Sequence, residues 1–226
     1  MAKSRRALSR PRVILNKIKR LYIDAYILRK GEDIFFIQIG SNDGRHKDPI
    51  YEKVKRRGWK GILVEPQEDV FEALKRNYED EKDDLIFENS AISDKDGYIT
   101  FYKSNKSGLS SIYPDDWFVN RNKNKAYTNR MNAGGAKEVK VRSQTFDSLL
   151  RKHHVTRIDL LQIDTEGYDF EIIKQIDFSR VKPRSIMYEN KLLDESDKVA
   201  CVNHLRDNGY RIIDLGNDTF AFAKKS

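Results

Sequence analysis

From Gly31 onward, short apolar runs alternate with longer stretches of helical periodicity. Strand-like runs fall at Ile34–Ile39, Gly61–Val64, Leu85–Glu88, Tyr98–Tyr102, Val139–Val141, Arg157–Ile163, Arg184–Tyr188, Arg211–Asp214 and Thr219–Phe222. The pattern between them predicts helices at about 47–58, 68–78, 145–153, 168–176 and 195–208. Strands separated by helices of this length predict right-handed βαβ units, a mostly parallel sheet and an α/β fold. The last two strands are joined by Leu215-Gly216-Asn217-Asp218, a connection so tight that it predicts an antiparallel hairpin closing the sheet. Neither an internal repeat nor a low-complexity tract interrupts the pattern.

Two stretches depart from it. Residues 104–138 form a long connection with little periodicity, and loops of that length inside a compact domain tend to be lids or binding loops. This one holds Tyr113, Trp117, Phe118 and Tyr127, six asparagines and several Lys/Arg. Aromatic faces beside amides suit a polyhydroxylated ligand such as a sugar, with Tyr113 and Trp117 as candidate substrate contacts; a solvated surface loop is the alternative. The second departure comes first in the chain. Over residues 13–28, Ile14, Ile18, Leu21 and Ala25 recur at helical spacing, with Val13, Tyr22 and Ile27 widening the stripe, while Lys17, Lys19 and Arg20 fall largely on other faces.

Charge sharpens that second departure. The chain of 226 residues carries a net +8, but residues 1–30 hold ten Lys/Arg against one acid, Asp24. The high isoelectric point therefore belongs to the front of the chain, and the remainder is close to neutral. A basic amphipathic helix can lie on an anionic membrane surface, contact nucleic acid phosphates, or dock its stripe on the body. The Arg/Ser-rich start also fits a transit peptide weakly. The expected organisation is a basic tail and helix over 1–30 and one domain over 31–226, with 104–138 as its lid or substrate loop.

Composition removes several classes. A hydrophobic fraction of 38% with 11% aromatic residues is a globular composition. The longest unbroken apolar run, Ile34 to Ile37, is far short of the ~20 residues that span a bilayer. One cysteine, Cys201, rules out an internal disulfide framework and a cysteine-rich zinc site. With no apolar stretch opening the chain, the expected compartment is reduced and cytoplasmic, with a peripheral membrane location open through residues 1–30.

The candidate chemistry lies at the carboxyl ends of the strands, where open α/β sheets bind ligands. The first strand runs into Gly40-Ser41-Asn42-Asp43-Gly44 and then a helix. Gly40 and Gly44 let backbone approach a ligand, and Asn42 tolerates a left-handed conformation. The spacing is not G-x-G-x-x-G, and Asp43 puts a negative charge where a pyrophosphate would sit, so a cationic ligand group fits better. The second strand ends in Glu65-Pro66; a carboxylate there can accept both hydroxyls of a ribose, or cap a helix. The third ends in Glu88-Asn89-Ser90-Ala91-Ile92, a place for contacts to an adenine edge. The fourth delivers Asp164 and Glu166, two residues apart, and two such acids need a cationic partner. The fifth ends in Glu189-Asn190-Lys191. Asp164, Glu189 and Asn190 form either an oxygen set for a hard divalent cation or a metal-free hydrogen-bonded network.

Taken as an ordered series, IQIGSNDG (37–44), WKGILVEP (59–66), NSAISDKDG (89–97), SGLSSI (107–112), VRSQTFDSLL (141–150) and LLQIDTEGYDFEIIK (160–174) resemble the FkbM family of S-adenosylmethionine-dependent methyltransferases. The resemblance covers about residues 31–195. It implies a class I methyltransferase sheet, Rossmann-like, with seven strands, the last antiparallel, and helices on both faces. It further implies that Gly40, Ser41, Asn42, Asp43 and Gly44 hold the methionine portion and Glu65, with Pro66, the ribose. Ser90 and Ala91 then lie near the adenine, and Asp164 to Gly167 border the methyl group and acceptor. Gln38 departs from the acidic residue that many class I enzymes carry before the glycine turn. It can hydrogen-bond but cannot pair electrostatically with an ammonium, and Asp43 is a candidate to compensate.

A hydroxyl acceptor needs a positioned base. The candidates, in order, are Glu166, Glu189 and His46, with Lys191 to orient an acidic substrate group. His153 and His154 are expected at a helix end away from the strand tips. The expected activity is O-methylation of a sugar, glycan or related small molecule. Against a nucleic acid methyltransferase, no Asn-Pro-Pro-Tyr-like segment is present, and Cys201 falls in a late helix, away from the tips. A non-catalytic binding module and an NAD-dependent dehydrogenase are the remaining alternatives, the latter weakened by the turn spacing. A divalent metal and the oligomeric state stay open.

Overall fold

A computed structural model describes residues 33–46, 48–104, 110–113 and 136–224. The expected basic helix, Trp117 and most of the expected lid lie outside the described residues.

Seven strands form the main sheet: β1 (Phe35–Ile39), β2 (Lys60–Val64), β3 (Leu85–Glu88), β8 (Leu160–Ile163), β9 (Ser185–Glu189), β10 (Tyr210–Asp214) and β11 (Asp218–Ala223). Their order is β10-β11-β9-β8-β1-β2-β3. β1 pairs in parallel with both β2 and β8, while β11 runs antiparallel to β9 and β10. The chain first builds outward from β1 to β3, then returns to lay β8 on the other side of β1. The crevice between the ends of β1 and β8 is therefore the topological switch point, where this architecture binds ligands.

The central strands are apolar on both faces, as a sheet covered on both sides requires. Phe36, Leu63 and Leu160 face one core with Val54, Trp59 and Leu74. These come from or border the helices α1 (Tyr51–Arg57) and α2 (Glu68–Asn77). Ile37, Ile39, Ile62, Val64, Leu161 and Ile163 face the other core, where α3 (Phe146–Lys152), α4 (Asp169–Lys174) and α5 (Glu195–Asp207) contribute Leu149, Ile172 and Leu205. The terminal hairpin forms and closes the sheet as its tight turn predicts, its second strand lying between β9 and β10 and its first at the edge. Burial explains the choice: Thr219, Phe220 and Ala221 are buried, while Arg211 and Asp214 on β10 are exposed.

The runs at 98–102 and 139–141 are strands, but they belong to a second sheet. It comprises β4 (Ala91–Ile92), β5 (Gly97–Ser104), β6 (Ser110–Ser111) and β7 (Ala136–Gln144), in the order β4-β7-β5-β6. β5 and β7 pair antiparallel from Gly97↔Ser143 to Ser104↔Ala136. Their apolar residues alternate strictly. Ile99, Phe101, Val139 and Val141 pack with Ala91, and Tyr98, Thr100, Lys140 and Arg142 face solvent. One-sided alternation suits a sheet with a single covered face, unlike the two-sided runs of the main sheet. Among the described residues no helix is long and apolar enough to cross a membrane.

Candidate active site

The turn after β1 is held from both sides. Backbone N–H groups of Gly40 and Ser41 donate to the Val64 carbonyl at 3.0 Å. The Ser41 hydroxyl donates to the Gln38 carbonyl at 3.1 Å and accepts from the Val64 N–H at 3.1 Å. Ser41 thus ties the ends of β1 and β2 together. Gly40 sits at φ +80°, and a Cβ there would lie 1.9 Å from the Asp164 carbonyl oxygen. Asn42 takes the left-handed conformation, with φ 51°. Gly44 is different from the expectation of ligand approach. A Cβ on Gly44 would meet Leu74 Cδ1 at 2.4 Å and Tyr78 Cε2 at 2.5 Å, so this glycine admits α2 and its C-cap residue rather than a ligand.

Beyond the turn lies a cavity of about 250 Å³ at the tips of β1, β2 and β8. Phe101, Ser110 and Ile112 of the second sheet and its edge wall the far side. On the near side stands Glu65, buried with only 4% exposure. Its Oε2 accepts from the Asn42 N–H and its Oε1 from the Gln67 N–H, both at 3.0 Å. Burial nevertheless pushes the carboxyl up to about 7. The Gln67 Nε2 amide also donates to Oε1, at 3.4 Å, so it is Oε2 that keeps a lone pair for a ligand hydroxyl. Ser90 and Ala91 line the same cavity. Gln144 Nε2 donates to Ser90 Oγ at 2.7 Å, so the second sheet positions this edge.

Gln38 is buried, and its Nε2 donates to Asp48 Oδ2 at 2.9 Å. Asp48 lines the cavity and was not among the residues the sequence singled out. Its Oδ1 accepts from the N–H groups of Ile50 and Tyr51, at 2.5 and 3.0 Å, and so starts α1. The sequence signal was an acid followed by proline, Asp48-Pro49, at a helix start, a pattern that reads as a cap and nothing more. Asp43, the residue expected to compensate for Gln38, is otherwise engaged: it accepts from the N–H groups of Arg45 and His46 and pairs with the His46 ring.

At the ends of β8 and β9 four acids gather. Asp169, fully buried, is the clamp: Oδ2 accepts from Thr165 Oγ1 at 2.9 Å and Oδ1 from the Glu189 N–H at 3.1 Å. Loss of water pushes its carboxyl up to about 6. Asp164 opens on the cavity, where solvent still reaches it. Desolvation on its protein side, then the charges of Asp169, Glu166 and Asp218, push it up to about 8. Burial, then Glu166 and Asp164, push Glu189 up to about 9. Lys191 Nζ stands 3.9 Å from Glu189 Oε1. Asn190 Nδ2 donates to Thr219 Oγ1 at 2.8 Å. Among the described residues no three His, Cys, Asp or Glu side chains are placed to hold a metal ion.

The cavity brings together Gln38, Gly40, Ser41, Asn42, His46, Glu65, Pro66, Ser90, Ala91, Asp164 and Glu166. Asp43, Gly44, Tyr113, Glu189, Asn190 and Lys191 lie outside its lining. Tyr113 packs its ring against Tyr168, with centroids 5.3 Å apart. His46 reaches the rim with an exposed ring. Glu166 adopts φ 54°, and its carbonyl accepts from Ser111 Oγ at 3.2 Å, which fixes the strand-tip loop against β6. His153 corrects an expectation: its ring sits 2.5 Å from Glu88 Oε1, at the very tip of β3, although outside the cavity. Sequence reading also passed over Gln162, Phe101, Ser110 and Ile112, the last three because the second sheet that carries them was not foreseen.

No curated protein sequence matches the chain. Solved structures share its fold. The FkbM methyltransferase of Methylobacillus flagellatus KT superposes with a TM-score of 0.54 at 12% identity, over 84% of this chain and 44% of that protein. The chain thus spans less than half the length of that relative. The N-terminal domain of human METTL16 superposes with a TM-score of 0.50 at 13% identity, over 97% of this chain and 72% of that one. The Methyltransferase FkbM domain model matches residues 38–212, from the glycine turn through the last helix and into β10. With most of its length accounted for in this way, and with the turn, the ordered sheet and the cavity where that architecture requires them, the chain belongs to the FkbM methyltransferase family.

Proposed function

We propose that this protein is an S-adenosylmethionine-dependent O-methyltransferase acting on a hydroxyl of a sugar, glycan or related small molecule. The observation that carries the cofactor reading is the buried carboxylate of Glu65 beside the Gly40 turn, in a cavity whose polar edge at Ser90 and Ala91 is held by Gln144. The residues fit such a nucleoside. Glu65 Oε2 has a lone pair free for a ribose hydroxyl, and buried amide oxygens of Gln38 and Gln162 await donors. Bound there, the cofactor supplies an electrophilic methyl group on a sulfonium.

The chain's own work is to desolvate, orient and take a proton. Phe101 and Ile112 exclude water from one wall. Glu166, on the cavity wall beside Asp164, is the first candidate to accept the proton of an acceptor hydroxyl, and His46 at the rim the second. Glu189 ranks below both, because its carboxyl holds a proton until about pH 9 and lies off the cavity. The Asn- and aromatic-rich segment 104–138 supports a hydroxylated acceptor, and the +9 of residues 1–30 supports recruitment to an anionic membrane surface. The test is calorimetric titration with S-adenosylmethionine and S-adenosylhomocysteine, with NAD as control. Saturable binding of the sulfur nucleosides that Glu65→Ala abolishes supports the reading, and a folded protein that binds neither overturns it. Deleting residues 1–30 then tests recruitment by vesicle sedimentation, with RNA binding as the competing outcome.

A further inference from the structure

Outside the cavity described above, one aromatic ring stands open to solvent. Tyr98 is the only exposed aromatic residue among the described ones, at 59% exposure. It lies on the uncovered face of the second sheet, directly across from Arg142. Lys140 Nζ stands 5.3 Å from the ring centroid, so a face of the ring is within reach of polar groups. Beside the ring is a second cavity, of about 430 Å³, whose lining includes Asp96, Tyr98, Arg142, Ser143, Ser148 and Lys152. No Leu, Ile, Val, Met, Phe or Trp side chain lines it. It adjoins the first cavity at Ser90, which lines both, whereas Asp164 and Glu166 line only the first.

The charges of this second cavity decide what can enter. Lys152 Nζ pairs with Glu88 Oε1 at 2.6 Å, so that cation is already matched. Asp96 accepts from the Thr145 N–H at 2.8 Å and from the Ser148 hydroxyl at 2.7 Å, and these bonds hold its carboxyl below the usual carboxylate range. It is exposed, and a carboxylate has about four acceptor sites, so capacity remains for the donors of a ligand. Arg142 has no ion-pair partner among the described residues, and its guanidinium presents donors in a planar fork. The open charges are therefore one of each sign. A phosphate or carboxylate would meet Asp96, an amine would meet Arg142, and an apolar group would meet a lining without aliphatic side chains. A neutral ligand rich in hydroxyls meets none of these penalties. Its hydroxyls donate to Asp96 and accept from Arg142, while a face of C–H bonds stacks on the Tyr98 ring. We propose that Tyr98, Arg142 and Asp96 form a binding site for a neutral sugar unit, separate from the site of methyl transfer. A sugar chain held at the second sheet stays beside the first cavity while another of its units presents a hydroxyl there. That anchoring role rests on the glycan reading of the acceptor, and the binding itself is independent of the cofactor.

The test is calorimetry on the full chain with maltohexaose, xylohexaose, chitohexaose and mannohexaose. Heparin and oligouridylate serve as charged probes, and S-adenosylhomocysteine reports on the first cavity. At least one neutral hexamer should bind. Tyr98→Ala should weaken it by about tenfold or more, the scale of a lost aromatic anchor, and Tyr98→Phe, which keeps the ring, should retain it. Arg142→Leu should also weaken it. These variants should melt with the unmodified protein and bind S-adenosylhomocysteine as it does. Binding of none of the neutral hexamers overturns the proposal. So does sugar binding that Tyr98→Ala and Arg142→Leu leave unchanged, or a Tyr98-dependent preference for heparin or oligouridylate. Sugar binding through Tyr98 in a protein that binds no sulfur nucleoside supports this site and overturns the cofactor reading. Nucleoside binding without sugar binding does the reverse.

Discussion

The carbonyl oxygen of Asp164 occupies the space that a Cβ on Gly40 would need, with 1.9 Å between them. The end of β8 thus presses directly on the turn after β1, and the two strand tips can meet only through a residue without a side chain. Gly40→Ala should therefore cost about 3 kcal/mol or more, since a backbone clash adds to a positive φ. Gly216 is the control. It also has positive φ, but open space surrounds it, so Gly216→Ala should cost about 1 kcal/mol. Urea unfolding of the two variants measures the difference, and equal losses would show that β8 yields to a methyl group.

The strand-tip acids whose carboxyls are pushed up give stability an inverted pH dependence. A carboxyl whose pKa is raised on folding binds more protons in the folded chain than in the unfolded one. Stability then falls as pH rises from the unfolded value to the folded one. For Glu65 that window runs from 4.5 to about 7, and Asp164 and Glu189 extend the decline to about 8 and 9. The ligand-free protein should melt at higher temperature near pH 5 than near pH 8.5. Glu65→Gln should flatten the lower part of that curve. It should also remove the gain in S-adenosylhomocysteine affinity expected as Glu65 ionises around pH 7.

Much of this site was readable before any coordinates. Strands with apolar residues on both faces, ending in glycine or acid, give a mostly parallel sheet, though not its strand order, and put Gly40, Glu65, Ser90 and Asp164 at its tips. What escaped reading depended on contacts between distant segments. Gly40 and Gly44 look alike in sequence, yet one is pressed by a strand end and the other by Leu74 and Tyr78. Asp48 reads as a helix cap because one of its oxygens is one; only the fold shows the other oxygen beside Gln38. The second sheet hid because its strands pair across a long intervening segment, so Phe101 and Ile112 gave no sign of facing a cavity.

The acids near the methyl-acceptor side should separate by substitution. Glu166→Gln should lower turnover by about 10²-fold or more, the scale of a lost general base, with little change in cofactor affinity. Glu189→Gln replaces a carboxyl that is already protonated at neutral pH, so turnover should barely move. Steady-state kinetics with a methylated acceptor, beside calorimetry, distinguishes them. If Glu189→Gln were the slower variant, the proton would leave by the β9 tip instead of the β8 tip.

A last prediction concerns the cost of an empty cavity. The amide oxygen of Gln162 is buried without a partner, so the ligand-free fold carries a desolvation penalty that the unfolded chain does not. Leucine has a similar volume and no polar atom. Gln162→Leu should stabilise the ligand-free protein by about 1 kcal/mol, which for a chain of this size raises the melting temperature by about 2–4 °C. Saturating S-adenosylhomocysteine should reverse the order, because only the unmodified protein gains the missing donor. Differential scanning calorimetry with and without ligand reads both signs in one pair of proteins. A variant that is less stable in the empty state would mean that Gln162 serves the core and not the ligand.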